Sequence, residues 1–482
     1  MKQVQKLVIL HTNDIHSHFE AMPRIATVMR KLRREHAGAG LVTVDGGDHM
    51  DRMRQETEAS LGKANVAVMN EAGYDLAVPG NNEGLTLSKN DLEKAYSGAR
   101  FEIIGSNLYE SGTGRIPSWL KPYSILDRGG VRIGFIGVTA YFPAFYNLLG
   151  WDIQEPFGSI RHWLKEVRER ADVVVLISHL GIAHDRRIAE EISGIDVILG
   201  AHTHHLLEEP LRIGGTAILA AGKWGQYVGC VEMEYDREAG ALVKVEGRVY
   251  PTEGEAEEPG TVRTIDGYES SSRTVLQEPA AVLNRPLPIH WHEESELGNL
   301  LAAGLRSWVG AEIGLVNAGQ LLEGLPKGTV TRGELHRICP SPINPCSVNL
   351  KGSDLLTALE ESLLPEFTEK PIMGFGFRGK VLGALCVDGL QVDYDPDGEP
   401  YRKIRSVLVN GEPLDPARLY RTGMIDMFTF RVGYPTLAEG TEVRYFLPEF
   451  LRDLLAGLLL DEEALARAVP RRWRPSSSGK EA

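Results

Sequence analysis

The chain has 482 residues, more than one hydrophobic core usually serves, and a prior of roughly 150 residues per domain predicts two or three domains. With 43% hydrophobic and 24% charged residues it has the balance of an ordinary globular protein, which excludes a disordered chain. Its formal net charge of -14 lacks the basic footprint of a nucleic-acid polymer binder, and no apolar run approaches the roughly 20 residues of a membrane span, so neither partner is expected.

Residues 7–10 form an apolar run too short for a signal-peptide core. Cys230, Cys339, Cys346 and Cys386 have no short metal-binding or redox spacing, which points to a reducing, cytoplasmic location. In the first half, apolar strand candidates fall at 7–10, 41–44, 101–104, 131–138, 173–177 and 197–199. They alternate with amphipathic segments such as Ile25, Val28, Met29 and Leu32, whose spacing shares one helical face. This is the pattern of a layered α/β domain. Further β-like runs follow at 216–220, 229–235 and 243–250, so a first domain is expected over residues 1–255. The Glu-, Pro- and Gly-rich stretch 252–259 opens a linker over 256–284, read as helical up to residue 282. A smaller α+β domain is expected over 285–470, opening with a helix at 297–309 and closing with a leucine-rich helical stretch at 450–468. Residues 471–482, basic and then Ser-rich, are expected to be a disordered tail.

Several candidate strands end in polar residues, and α/β sheets place their sites beyond the carboxyl ends of strands. After 7–10 comes His11-Thr12-Asn13-Asp14-Ile15-His16, and after 41–44 comes Asp45-Gly46-Gly47-Asp48. Ser178-His179-Leu180-Gly181 follows 173–177, Gly200-Ala201-His202-Thr203-His204 follows 197–199, and Pro79-Gly80-Asn81-Asn82-Glu83 follows 76–78. Asp-x-His and His-x-His spacings let alternate side chains of an extended segment reach one ion. Any one of these histidines alone is more readily a buried or surface residue than a ligand, but their convergence on strand ends is not. Imidazole, carboxylate and carboxamide donors without thiolate suit manganese, zinc or iron.

Taken in order, these five motifs resemble the metallophosphoesterase (calcineurin-like) domain of the 5′-nucleotidase family. Glu296-Leu297-Gly298-Asn299-Leu300 and Asn317-Ala318-Gly319 resemble the opening of that family's substrate-binding C-terminal domain. The resemblance implies an α/β/β/α catalytic layer followed by the smaller domain. It implies two divalent metals, manganese favoured, one held by Asp14, His16 and His204 and the other by Asn81, His179 and His202, with Asp48 bridging. It implies hydrolysis of a small phosphorylated substrate, a nucleotide, cyclic nucleotide or nucleotide-sugar, by metal-activated water, with the second domain closing over the organic moiety. The oligomeric state is not implied.

The sequence departs from the family at the proton-handling pair, a His and an Asp, where Asn82 and Leu85 stand. An asparagine amide donates to a phosphoryl oxygen but holds no proton near neutral pH, so Asn82 is the expected catalytic residue of a modified site. The alternative is a catalytically weakened metal- and ligand-binding protein on the same fold. For the substrate, Asn317, Phe375, Phe377, Arg378 and Phe428 are the candidates, because the family's arginine clamp and first base-stacking phenylalanine are replaced by Gln320-Leu321-Leu322 and Ala384.

Overall fold

The computed structural model describes residues 4–476. The chain divides into two compact units between Ser272 and Arg273, inside the helix Pro259–Leu276.

The first unit is built on two sheets. In one, Val4–Thr12, Gly40–Asp45, Leu76–Ala77, Glu102–Ile104 and Leu120–Lys121 run parallel, and Tyr227–Asp236 and Ala241–Pro251 complete the edge antiparallel. In the other, Val131–Val138, Val173–Ser178, Val197–Gly200 and Thr216–Leu219 run parallel, with Tyr123–Arg128 and Leu211–Ile213 antiparallel at the edges. Parallel strands covered on both faces must be apolar throughout, and every residue of Val173–Ser178 is buried. Strand alternation sorts the layers. Leu7 and Ile9 pack between the sheets with Val44, Phe135, Val175 and Leu199, whereas Val8 and Leu10 turn outward onto the helices. Met22–Glu35 covers that outer face through Ile25, Val28, Met29 and Leu32, its start favoured by Pro23 in the first turn. Pro156–Arg170 and Ile182–Glu191 cover the outer face of the second sheet. The result is the expected α/β/β/α layering.

The second unit has one core. Its five-stranded sheet takes the order Leu385–Asp388, Ile313–Asn317, Leu419–Ile425, Pro345–Lys351 and Thr441–Tyr445, with helix Glu296–Trp308 against it. A four-stranded sheet carries Leu390–Tyr394 beside Trp473–Pro475.

Three expectations change here. The helix of the linker stops at Leu276, and Pro279–Leu283 is a strand paired with Gly328–Thr331, because proline cannot continue a helix and biases its predecessor to extended backbone. The leucine-rich stretch is two helices, Leu451–Leu458 and Glu462–Arg467, since the Asp461 carboxylate accepts from the Glu463 and Ala464 N–H groups and starts a new N-terminus. The start of the expected tail is ordered. Arg472 donates to Asp388 at 2.8 Å, the Trp473 indole donates to the Leu385 carbonyl at 3.1 Å, and Trp473 is buried. Residues 477–482 of that expectation lie outside the described residues.

Candidate metal centre

All the ligand-type loops of the first unit leave the carboxyl ends of parallel strands, and they are stitched to one another through the backbone. Asp14, His16 and Ser17 N–H groups donate to the carbonyls of Gly47, Asp48 and His49 at 2.8–2.9 Å. The His202 N–H donates to the Asp14 carboxylate at 3.0 Å. The Glu83 carboxylate, buried at 1% exposure, accepts from Gly80, Asp48 and Met50 N–H at 2.8, 3.1 and 2.7 Å, so one side chain ties two loops. Asp45 orders its turn by accepting from the Thr12 hydroxyl and the Gly47 N–H. Two glycines make the close approach possible. A Cβ on Gly80 would lie 2.1 Å from Asp48 Oδ1, and Gly47, at φ 98, leaves room for a Cβ only 2.8 Å from His179 Nδ1. Asp14, His16, Asp48, His202 and His204 themselves sit at φ between 48 and 71, a region L residues enter at a cost of about 1–3 kcal/mol each, which concentrates at functional sites.

The side chains form two groups whose ligand atoms lie within 4.8 Å of one another, Asp14 with His16 and His204, and Asp48 with His179 and His202. The two oxygens of Asp48 face different groups, Oδ2 lying 3.8 Å from His16 Nε2 and Oδ1 3.3 Å from His179 Nε2. His204 Nε2 is 3.5 Å from Asp14 Oδ1 and 3.2 Å from His16 Nε2. The His179 Nδ1–H donates to the Gly46 carbonyl at 2.8 Å, which fixes the tautomer and turns Nε2 inward.

Charge follows geometry. Burial alone would make His179 less basic, but the Asp48 carboxylate beside it outweighs burial and lifts its pKa to about 10. Asp48 moves down, since His179 overcomes the upward push of burial. Burial lowers His202 and His204 to about 4 and raises Asp14 to about 6. The residues fit a pair of cations. Buried Asn81 Oδ1 has no hydrogen-bond partner among the described residues, and an orphaned buried acceptor of this kind is what a metal satisfies.

Asn82 lies against two of the expected ligands. Its N–H donates to Asp48 Oδ1 at 2.8 Å and its amide nitrogen lies 2.9 Å from His16 Nδ1, so it contacts the ring of an expected ligand. Sequence reasoning missed Asp51, a buried carboxylate 3.3 Å from the same His16 Nδ1. It also gave Glu83 no role, although the Gly-Asn-Asn-Glu motif contains it.

In the second unit three expected substrate contacts are corrected. Asn317 is fully buried, its amide donating to the Leu382 carbonyl and accepting from Gln320. Phe377 and Phe428, at 4% and 0% exposure, are core residues. Arg378 is half-buried and donates to the Phe377 carbonyl at 3.2 Å. Phe375 is 56% exposed and stacks at 6.0 Å and 28° on Phe430, which is 40% exposed. A glycine on each side of Phe375 was the usable sequence signal.

Residues 7–206 match the family model of calcineurin-like phosphoesterases, and residues 276–439 match that of the 5′-nucleotidase C-terminal domain. An uncharacterized metallophosphoesterase of Bacillus subtilis, YunD, is 39% identical over 456 residues, covering 94% of this chain and 98% of its own. The chain belongs to the 5′-nucleotidase-type metallophosphoesterase family. Its enzyme class is therefore that of the phosphoric ester hydrolases, and the family uses divalent metals. The fold is shared with a 5′-nucleotidase precursor of Thermus thermophilus, at a TM-score of 0.59 and 23% identity over 98% of this chain and 99% of that one. It is shared also with the NAD nucleotidase of Haemophilus influenzae, at 0.69 and 16% over 98% and 100%.

Proposed function

We propose that the protein hydrolyses nucleotides or related small phosphate esters at a binuclear metal centre in its first unit. The observation that carries this reading is Asp48, whose two oxygens face the two imidazole groups. Asp14, His16 and His204 hold one divalent ion and Asn81, His179 and His202 the other, with Asp48 shared. Manganese is favoured, zinc and iron fitting the same donors. When bound, such a pair of ions makes water more acidic and neutralises charge on a phosphoryl group.

The chain's own residues supply order. His179 keeps Nε2 inward through its Gly46 contact, Glu83 fixes the spacing of the Asp48 and Asn81 loops, and Asn82 and Asp51 hold the outer edge of His16. Asn82 acts on the ligand cage and carries no proton. In the second unit, the exposed Phe375–Phe430 pair is the proposed stacking platform for a planar organic moiety. The proposed location is cytoplasmic, which the four buried free thiols support and cell fractionation tests.

Phosphate release from mononucleotides, cyclic nucleotides, nucleotide-sugars and an aryl phosphate, by protein supplied with Mn²⁺, tests the reading. Turnover of at least one class is expected. Inactivity toward all four, with metal bound, overturns it.

A further inference from the structure

Beside the candidate centre the first unit contains a cavity of about 410 Å³. His202 forms part of its wall, with the Phe142 ring 6.1 Å from the His202 ring. Tyr141, 46% exposed, stands at the mouth. Two helices of the outer layer add Arg161 and Arg187 to the lining.

Both guanidiniums are held in place. They lie over the buried Phe157 ring at 5.9 and 4.8 Å, and the Glu191 carboxylate pairs with both. Arg187 places Nε and Nη2 on a single Glu191 oxygen, at 3.2 and 3.1 Å. Arg161 meets Glu191 through one contact, at 3.5 Å. A guanidinium has five donors in a fixed fork, and Arg161 and Arg187 are half-exposed, so the donors that Glu191 leaves unused are open to an incoming anion. The other carboxylate in the wall, Glu155, is directed elsewhere, accepting from the Phe157 and Gly158 N–H groups at 3.0 and 2.7 Å at the start of its helix. His184 donates through Nδ1 to the Leu180 carbonyl at 3.0 Å, which leaves Nε2 toward the lining.

We infer that this cavity is a subsite for a second anionic group, a phosphate or a carboxylate, carried by the same substrate whose phosphoryl ester is cleaved. The inference rests on the proposed phosphoesterase reading and narrows its substrate class to compounds with two anionic groups. Arg161 and Arg187 are the recognising residues, and Glu191 is the internal anion with which the incoming group competes.

The test compares alkyl phosphates with ω-carboxyalkyl phosphates and alkanediol bisphosphates over a series of chain lengths, using Mn²⁺-loaded protein. One or both of the doubly anionic series is expected to exceed the alkyl phosphates in kcat/KM by about tenfold or more, the worth of one or two charge-assisted hydrogen bonds. Which series wins distinguishes phosphate from carboxylate. The R161Q/R187Q variant is expected to collapse that ratio, and E191Q, which frees both guanidiniums, to increase it, an outcome that a damaged fold does not produce. Calorimetric binding of the same compounds reads the subsite without turnover. If they bind with this selectivity and none is hydrolysed, the phosphoesterase reading fails and the subsite stands. Hydrolysis or binding with no preference for the second anion, or a preference unchanged in R161Q/R187Q, overturns the subsite.

Discussion

In the first unit the expected ligands follow the carboxyl ends of strands, Asn81 opening a short helix, and these segments converge. In the second, Asn317, Phe377 and Phe428 are buried, Arg378 is half-buried and Phe375 is exposed. A cation demands particular donor atoms, so its ligands are chosen from few residue types at fixed spacings. A ring that stacks on a substrate is the same ring that fills a core, and nothing in its identity separates the two.

Substitutions that touch only one term of this contrast sharpen it. The largest effect is expected from D48N, which removes charge from the shared carboxylate. Metal content measured by elemental analysis falls, and kcat/KM drops by about a thousandfold, the upper range for losing a fixed electrostatic element. Metal content equal to that of the parent breaks the assignment of Asp48 as the shared ligand. F428A follows, with a loss of about 3–5 kcal/mol of stability for a fully buried ring, measured by denaturant unfolding. A stable F428A with weakened substrate binding returns Phe428 to the substrate. E83Q contacts no expected substrate atom, yet it weakens the clamp on two ligand loops and lowers metal affinity by about 10–100-fold, the usual range for supporting residues.

The pH dependence of metal binding comes next. Without metal, His179 has a pKa near 10 because Asp48 outweighs burial, so at neutral pH it holds a proton that a metal must displace. Apparent affinity should therefore rise with pH, by about tenfold per unit below that value, with proton release on binding seen by calorimetry in buffers of different ionisation enthalpy. A flat profile between about pH 7 and 9 removes His179 from the ligand set. The smallest effect is expected from F375A, with stability within about 0.5 kcal/mol of the parent and KM for an aromatic substrate raised roughly three- to tenfold.

The layers of the first unit were legible because burial on both faces forces continuous apolar strands, as in Val173–Ser178, and because Ile25, Val28, Met29 and Leu32 repeat at helical spacing. The ordered segment before residue 477 was not legible. Its basic composition reads as solvated, whereas Arg472 and Trp473 find partners far away in the chain, Glu294, Asp388 and the Leu385 carbonyl among them. Asp51 was invisible for a related reason. A carboxylate behind a ligand is recognised by what it faces, and His16 lies 35 positions away in the chain.

The close approach of Gly80 to Asp48 and of Gly47 to His179 bears on moving this chemistry to another protein. No ligand loop is a self-contained cassette, since the left-handed backbone around Asp14, Asp48 and His202 is bonded to neighbouring loops. A graft of Asp14 and His16 alone would relax into ordinary turns. The smallest transplantable part is the whole set of strand ends, at its native spacing, with both glycines and Glu83 included.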